Sequence, residues 1–371
     1  MVDLLPDRPK KGRGAVSNAS GRFEAHQRVA VDDGWDEWDE QAVFELPPLR
    51  TDVTDERPKT VITRNQSPDV PFEQSLNPYR GCEHGCVYCF ARPTHAYQGL
   101  SPGLDFESRL FAKPDAAAIL EAELAKKGYK PSTLALGTNT DPYQPLERKR
   151  RITRAVLEVL ARCNHPVAIV TKSDLVLRDL DILQPMAARG LASVALSVTT
   201  LDPALARRME PRAPTPAKRL AAVAGLAEAG VPVSVMVAPV VPAINDHEIE
   251  NILKAAAGAG AGAADYILLR LPGEVKQLFA EWLETHYPDR KARALGRMAG
   301  HRGGQLYAAQ WGARMRGAGT DADLLARRFH IACKRLGLNR ERAAGRPLRA
   351  ESFRPPIRKG DQFDLFQGAD R

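Results

Sequence analysis

The chain has 371 residues, 44% of them hydrophobic and 6% aromatic, and a formal net charge of +8. That length suits one large domain with appendages and its own core, and is too short for several independent domains. No run approaches the roughly 20 apolar residues that cross a bilayer, and the opening MVDLLPDRPKKGRG has no apolar block to serve as a signal peptide, so a cytoplasmic protein away from membranes is expected.

Residues 1–58 mix Pro, Gly, Asp and Arg without a sustained period and read as an N-terminal extension, partly disordered or draped over the main domain. Its acidic piece DDGWDEWDE offers Trp35 and Trp38 as anchors. From 59 to 288, short β-branched runs alternate with Ala- and Leu-rich helical runs. A first strand leads through QSLNPYRGC into a cysteine-rich loop, and a helix follows over 114–127, stopped by Gly128. The strand STLALGT precedes a helix over 150–163, and PVAIVTK precedes one over 175–189 that ends at Gly190. LASVALSVTT pairs with a helix over 216–229, stopped by Gly230; VPVSVMVAPV precedes one over 246–257 with Asp246 as its N-cap; DYILLRL is the sixth strand. Six βα units with nearly continuous apolar strands predict an α/β fold, a parallel sheet curled into a partial (βα)6 TIM-like barrel with N- and C-terminal extensions. Its chemistry is expected at the C-terminal ends of the strands.

The region 289–371 is basic: over 289–359 there are 18 Lys and Arg against 5 Asp and Glu. It holds three Gly-rich basic pieces, GRMAGHRGGQ, WGARMRGAG and RPLRAESFRPPIRKG, around DADLLARRFHIACKRLGL, whose apolar spacing predicts one helix packed on the barrel. The flanking arginines either cover the barrel mouth or grip a phosphate backbone, and an ordinary Arg-rich surface is the alternative.

The strongest local pattern is RGCEHGCVYCFARPTHAYQG, a C-x3-C-x2-C array of Cys82, Cys86 and Cys89 on one tight loop. Three clustered thiols in a reducing compartment point to a metal rather than to disulfides. Thiolates are preferred ligands of iron–sulfur clusters, whereas a closed zinc site wants four ligands and would have to recruit His84 or His95. Three ligands leave one iron open. The isolated Cys163 and Cys333 read as small core residues. Further strand ends place polar groups where a ligand could lie: Thr138, Asn139 and Asp141 in GTNTDPYQPLE, Lys172 in TKS, and Ser197 and Thr199 in SVTT. Each alone could equally be a turn former or a barrel-layer residue.

The cysteine spacing, with Tyr88 before the last cysteine, resembles the radical S-adenosylmethionine (SAM) superfamily. Together, NPYRGCEHGCVYCFARPTH, GTNTDPYQPLE, VTKS, SVTTLD followed by EPRAPTPAKRL, and LRLPGEVKQLFAEWL resemble its spore photoproduct lyase-like branch, over about residues 66–302. The resemblance implies a barrel of the radical SAM type and a 4Fe-4S cluster on Cys82, Cys86 and Cys89, with the open iron chelating SAM. It implies SAM contacts at Lys172 and Ser197 first, then Glu210 and Arg212, and an electron donor of the flavodoxin or ferredoxin type. The cluster would pass one electron to SAM and release a 5'-deoxyadenosyl radical, so that the protein's task is to position a substrate hydrogen. One departure stands out. Spore photoproduct lyases carry a hydrogen-donating cysteine after the second strand, and LGTNTD has none; Thr138 stands near that position, with an O–H bond too strong for the task. The expected substrate is therefore a nucleic acid or nucleotide other than the spore photoproduct. The same chemistry on a protein side chain or small metabolite, and a non-catalytic metal-binding adaptor for nucleic acid, stay open as alternatives. A monomer is expected.

Overall fold

Short runs of Val, Ile and Leu need cover on both faces, which a parallel sheet between helices supplies. The computed structural model describes residues 8–24, 49–340 and 348–356. Its strands are β1 (Asp52–Asp55), β2 (Thr63–Arg64), β3 (Gln74–Leu76), β4 (Tyr79–Arg80), β5 (Arg109–Ala112), β6 (Leu134–Leu136), β7 (Val167–Thr171), β8 (Ala192–Ser197), β9 (Val233–Val240) and β10 (Ala263–Leu268). The main sheet runs β10-β9-β8-β7-β6-β3-β2. Every pairing from β3 to β10 is parallel, and β2 closes one side as a short antiparallel strand. Six parallel strands joined in chain order through helices form the partial barrel. β1, which lies within the stretch read as an extension, pairs with β5 in a second sheet of order β1-β5-β4. Trp35 and Trp38 lie outside the described residues.

The helices Ala116–Leu124, Ile152–Arg162 and Pro216–Glu228 fall on their expected runs. Two others begin differently. Ser173 Oγ accepts the Leu175 N–H at 3.3 Å and opens a 3-10 turn, Asp174–Asp179, so the α-helix starts only at Leu180–Ala188. Asp246 caps nothing. It lies in a 3-10 turn, Asp246–Glu248, and its carboxylate takes Arg297 Nη1 at 2.7 Å, while the α-helix is Ile249–Gly258.

In the basic tail, a helix Pro288–Gly300 runs through part of the first Gly-rich piece and buries Ala294 and Met298. Gly296 and Gly300 hid it, because glycine weakens helix propensity by about 1 kcal/mol each. The helix Thr320–Leu336 buries Leu325 and Phe329 in the main core, with the Phe329 ring 4.8 Å from that of Tyr266 on β10. The tail also occupies the free edge of β10: Asn339 bonds both the N–H and the carbonyl of Ala264 (2.9 and 3.0 Å), and Arg316 pairs with Asp265 at 2.5 Å. An open strand edge is thereby blunted.

The described part of the last basic piece, residues 348–356, lies away from the barrel mouth. Arg349 and Arg354 donate backbone N–H groups to Gly190 O and Cys163 O, and Phe353 packs on Tyr129 and His165 (5.5 Å each). Those partners precede β6, β7 and β8, so these residues sit at the end opposite the cysteine loop. Cys163 and Cys333 are both buried in the main core. Among the described residues no helix is long and apolar enough to cross a membrane.

Candidate active site

The cysteine loop leaves β4 and enters the 3-10 helix Arg92–Gln98. A tight loop turns backbone carbonyls inward, and here one fully buried guanidinium collects them. Arg92 donates to Cys86 O (2.9 Å), Gly85 O (3.3 Å), Pro102 O (3.0 Å) and Gly103 O (2.8 Å), and pairs with the buried Glu107. The N-terminal segment completes this support. Gly14 N–H and Ala15 N–H each donate to the Glu107 carboxylate at 2.9 Å, and Arg13 Nη1 donates to Glu107 O at 2.6 Å. A Cβ at position 14 would stand 1.9 Å from Gly85 O, so only glycine fits there. Arg212 serves the same loop: its N–H donates to His84 O (3.3 Å) and its guanidinium pairs with Glu83 (3.1 Å). Both contacts hold the loop.

Strand ends bring the remaining groups to the loop. Gly137 ends β6 with φ of 86°, and a Cβ there would meet Val170 O at 1.9 Å, so the chain crosses closely over β7. Beyond it, Thr138 and Asn139 are ordered by Asn77, at 3.1 and 3.0 Å. Asp141 is already spent on the fold: it accepts from Tyr143 N–H (2.9 Å), Thr171 Oγ1 (2.6 Å) and Lys172 N–H (2.8 Å), and His84 Nδ1 lies 3.3 Å away. Burial alone would raise its pKa, but the His84 charge and these hydrogen bonds hold it down to about 2. Through these bonds the Asp141 oxygens position β7 and Lys172.

A second network lies beside Cys86. Glu210 accepts from the Tyr88 hydroxyl, from Thr199 Oγ1 (2.7 Å) and from Arg219, all four side chains being buried. Thr199 is thus committed to Glu210. Arg219 also donates to Ser197 O (3.0 Å) and Pro214 O (2.8 Å), tying the end of β8 to the helix Pro216–Glu228. Lys172 Nζ lies 5.8 Å from the Tyr88 ring centroid. Burial would lower its pKa, but the charges at Cys86 and Glu210 raise it above the usual value. Ser197, buried at the end of β8, has no hydrogen bond to its hydroxyl. Lys172, Ser197, Tyr88 and Glu210 therefore converge at one end of the sheet with the thiols. Arg92, Glu107, Arg13 and Arg219 were not visible as site residues in the sequence; GRG near the N-terminus was the one local hint, since paired glycines mark close backbone approach.

The donors fit an iron–sulfur cluster. Burial first, then the charges of Asp141 and the other two cysteines, pushes the Cys82 thiol well up; burial takes Cys86 to about 12, with Lys172 pulling the other way. Thiols so placed stay protonated until a cation takes the proton's place. Among the described residues no group of three Cys, His, Asp or Glu side chains stands at metal-binding spacing. Neither histidine completes a zinc site. His84 faces Asp141, and His95 is packed against Phe106 and Phe111 (5.6 and 6.0 Å), where burial lowers its pKa to about 4.

Comparison with known proteins gives the same direction. The Radical SAM superfamily model matches residues 76–256. Uncharacterised proteins of Mycobacterium bovis and Mycobacterium tuberculosis are 39% identical over 226 residues, which cover 60% of this chain and 66%, under two thirds, of theirs. One from Methanocaldococcus jannaschii is 27% identical over 173 residues, 47% of this chain and 62% of that protein. Among solved structures, a cysteine-to-serine variant of spore photoproduct lyase superposes with a TM-score of 0.54 at 15% identity, covering 77% of this chain and 80% of the lyase. Another lyase variant, with bound SAM and dinucleoside spore photoproduct, gives 0.51 over the same shares. At that identity the likeness is one of fold. The family uses a 4Fe-4S cluster and SAM, and three thiols on one loop at the C-terminal ends of a partial barrel are what that pair requires. Residues 76–256 of this chain form a radical SAM superfamily domain.

Proposed function

We propose that this protein is an enzyme that cleaves SAM reductively and directs the resulting radical to a hydrogen of a nucleic acid or nucleotide. The carrying observation is the position of Lys172 beside the cysteine loop: its ammonium lies 5.8 Å from the ring centroid of Tyr88, whose hydroxyl donates to Glu210. When bound, the cluster supplies one electron to the SAM sulfonium, which yields a 5'-deoxyadenosyl radical.

The chain's own residues bind and orient. Cys82, Cys86 and Cys89 hold the cluster. Lys172 takes the SAM carboxylate as a point charge. Ser197 Oγ, with no partner of its own, bonds the ribose, and Thr138 and Asn139 offer polar groups at the neighbouring strand end. Glu210, fixed by Arg219, Tyr88 and Thr199, holds the Lys172 charge in place. An electron donor of the flavodoxin or ferredoxin type reduces the cluster. A base inside a duplex could not reach this depth, so the substrate is single-stranded or flipped from its stack.

The test is anaerobic reconstitution with iron and sulfide, reduction by dithionite, and chromatography for 5'-deoxyadenosine after SAM is added. Production by the native chain and its loss in Cys86→Ala supports the reading. A loaded cluster without SAM binding by calorimetry overturns it in favour of an adaptor.

A further inference from the structure

The end of β10 carries more positive charge than its surroundings balance. Arg270, Arg302 and Arg314 gather here: burial and then the Arg314 charge lower the pKa of Arg270, and burial and then the Arg270 charge that of Arg302. The carboxylate among them is Asp69, and it is taken. It accepts the Gly312 N–H at 2.6 Å and pairs with Arg314, which also reaches Ser67. Arg302 spends Nη2 on Leu269 O (2.6 Å), and its Nε is buried without a partner. Arg270 has no carboxylate at ion-pairing distance among the described residues; it lies 4.4 Å over the ring of Phe90, which is 43% exposed. Phe90 adjoins Cys89 in the chain, so this surplus borders the cysteine loop. Trp311, 62% exposed, stands next to Gly312 on the same segment.

Desolvated guanidinium groups without counter-ions cost stability unless an anion joins them. A free aromatic face beside them is what a base stacks on. We propose that Arg270, seated on Phe90 and backed by Arg302, binds a phosphate of a single-stranded nucleic-acid substrate while Phe90 stacks a base next to Cys89. This rests on the nucleic-acid reading above and adds the residues that would carry it.

The experiment is fluorescence anisotropy of a labelled single-stranded oligodeoxynucleotide of about 10 nucleotides, within the usual site size, on the anaerobically reconstituted full chain across a salt series. Arg270→Gln should weaken binding about tenfold and reduce the log–log salt slope by about one, as for a lost phosphate contact. Phe90→Ala should weaken it at an unchanged slope, by about 5-fold or more, the scale of one lost stack. Arg349→Gln, on the basic piece at the opposite end, should bind as the native chain does. If the native chain binds and Arg270→Gln matches it in affinity and slope, or Arg349→Gln loses as much, the subsite is refuted and the nucleic-acid reading survives. If the native chain does not bind the oligonucleotide, both fall.

Discussion

Arg92 and Glu107, 15 residues apart in the chain, form an ion pair with neither side chain exposed, directly beneath the cysteine loop. The pair joins three segments, because Glu107 also takes the N–H groups of Gly14 and Ala15. Removing one partner leaves the other charged and buried. Glu107→Gln should therefore cost about 3–5 kcal/mol in chemical denaturation, and should lower iron uptake, since Arg92 would no longer fix Gly85 O and Cys86 O.

Replacing Cys82, Cys86 or Cys89 by Ala should abolish the brown colour and visible absorbance of the reconstituted cluster. Cys163→Ala, a core substitution, should retain both. A fully loaded triple variant would exclude this ligand set.

Lys172→Ala should weaken SAM binding by about tenfold or more, roughly the 1.4 kcal/mol or more of a lost charge-assisted contact, with iron content unchanged. Ser197→Ala should have a smaller effect in the same calorimetric titration. Arg212→Ala should act on loop stability, seen in the melting temperature, rather than on SAM affinity.

Glu210 and Asp141 set an acid limb. Their folded pKa values, about 2, lie below the ordinary 4.5 and 3.8. For groups depressed in this way the folded chain binds fewer protons than the unfolded one, so their stabilisation is complete above pH 4.5 and drains away as pH falls towards 2. On the order of 2–3 kcal/mol each is at stake. Unfolding titrations from pH 6 to 2 should show this loss, and Asp141→Asn should flatten it while lowering stability at pH 6.

Deleting the chain beyond residue 289 should give an insoluble product. It removes Phe329 from its contact with Tyr266 and frees the β10 edge that Asn339 and Arg316 occupy. A soluble, loaded fragment would show that the barrel closes without its tail.

The order of the six parallel strands and the cysteine loop were written locally. Apolar runs of β-branched residues between helical runs can only stack as a covered parallel sheet, and C-x3-C-x2-C lies within eight consecutive positions. The places of Lys172 and Ser197 at strand ends were legible for the same reason, since Lys172 follows directly on β7 and Ser197 is the last residue of β8. What tertiary structure alone decided is which polar groups are spent. Asp141 reads as a ligand-facing carboxylate in GTNTD, and folding gives its oxygens partners 30 residues or more downstream at Thr171 and Lys172. Arg13 and Gly14 read as part of a loose extension, yet they close on Glu107, over 90 residues away. Hydrogen bonds and ion pairs between distant segments leave no periodic trace in a sequence, because only folding brings the partners within 3 Å. Hydrophobic patterning sets where strands and helices lie, and the pairing of buried charges across them fixes which side chains remain free to meet a ligand.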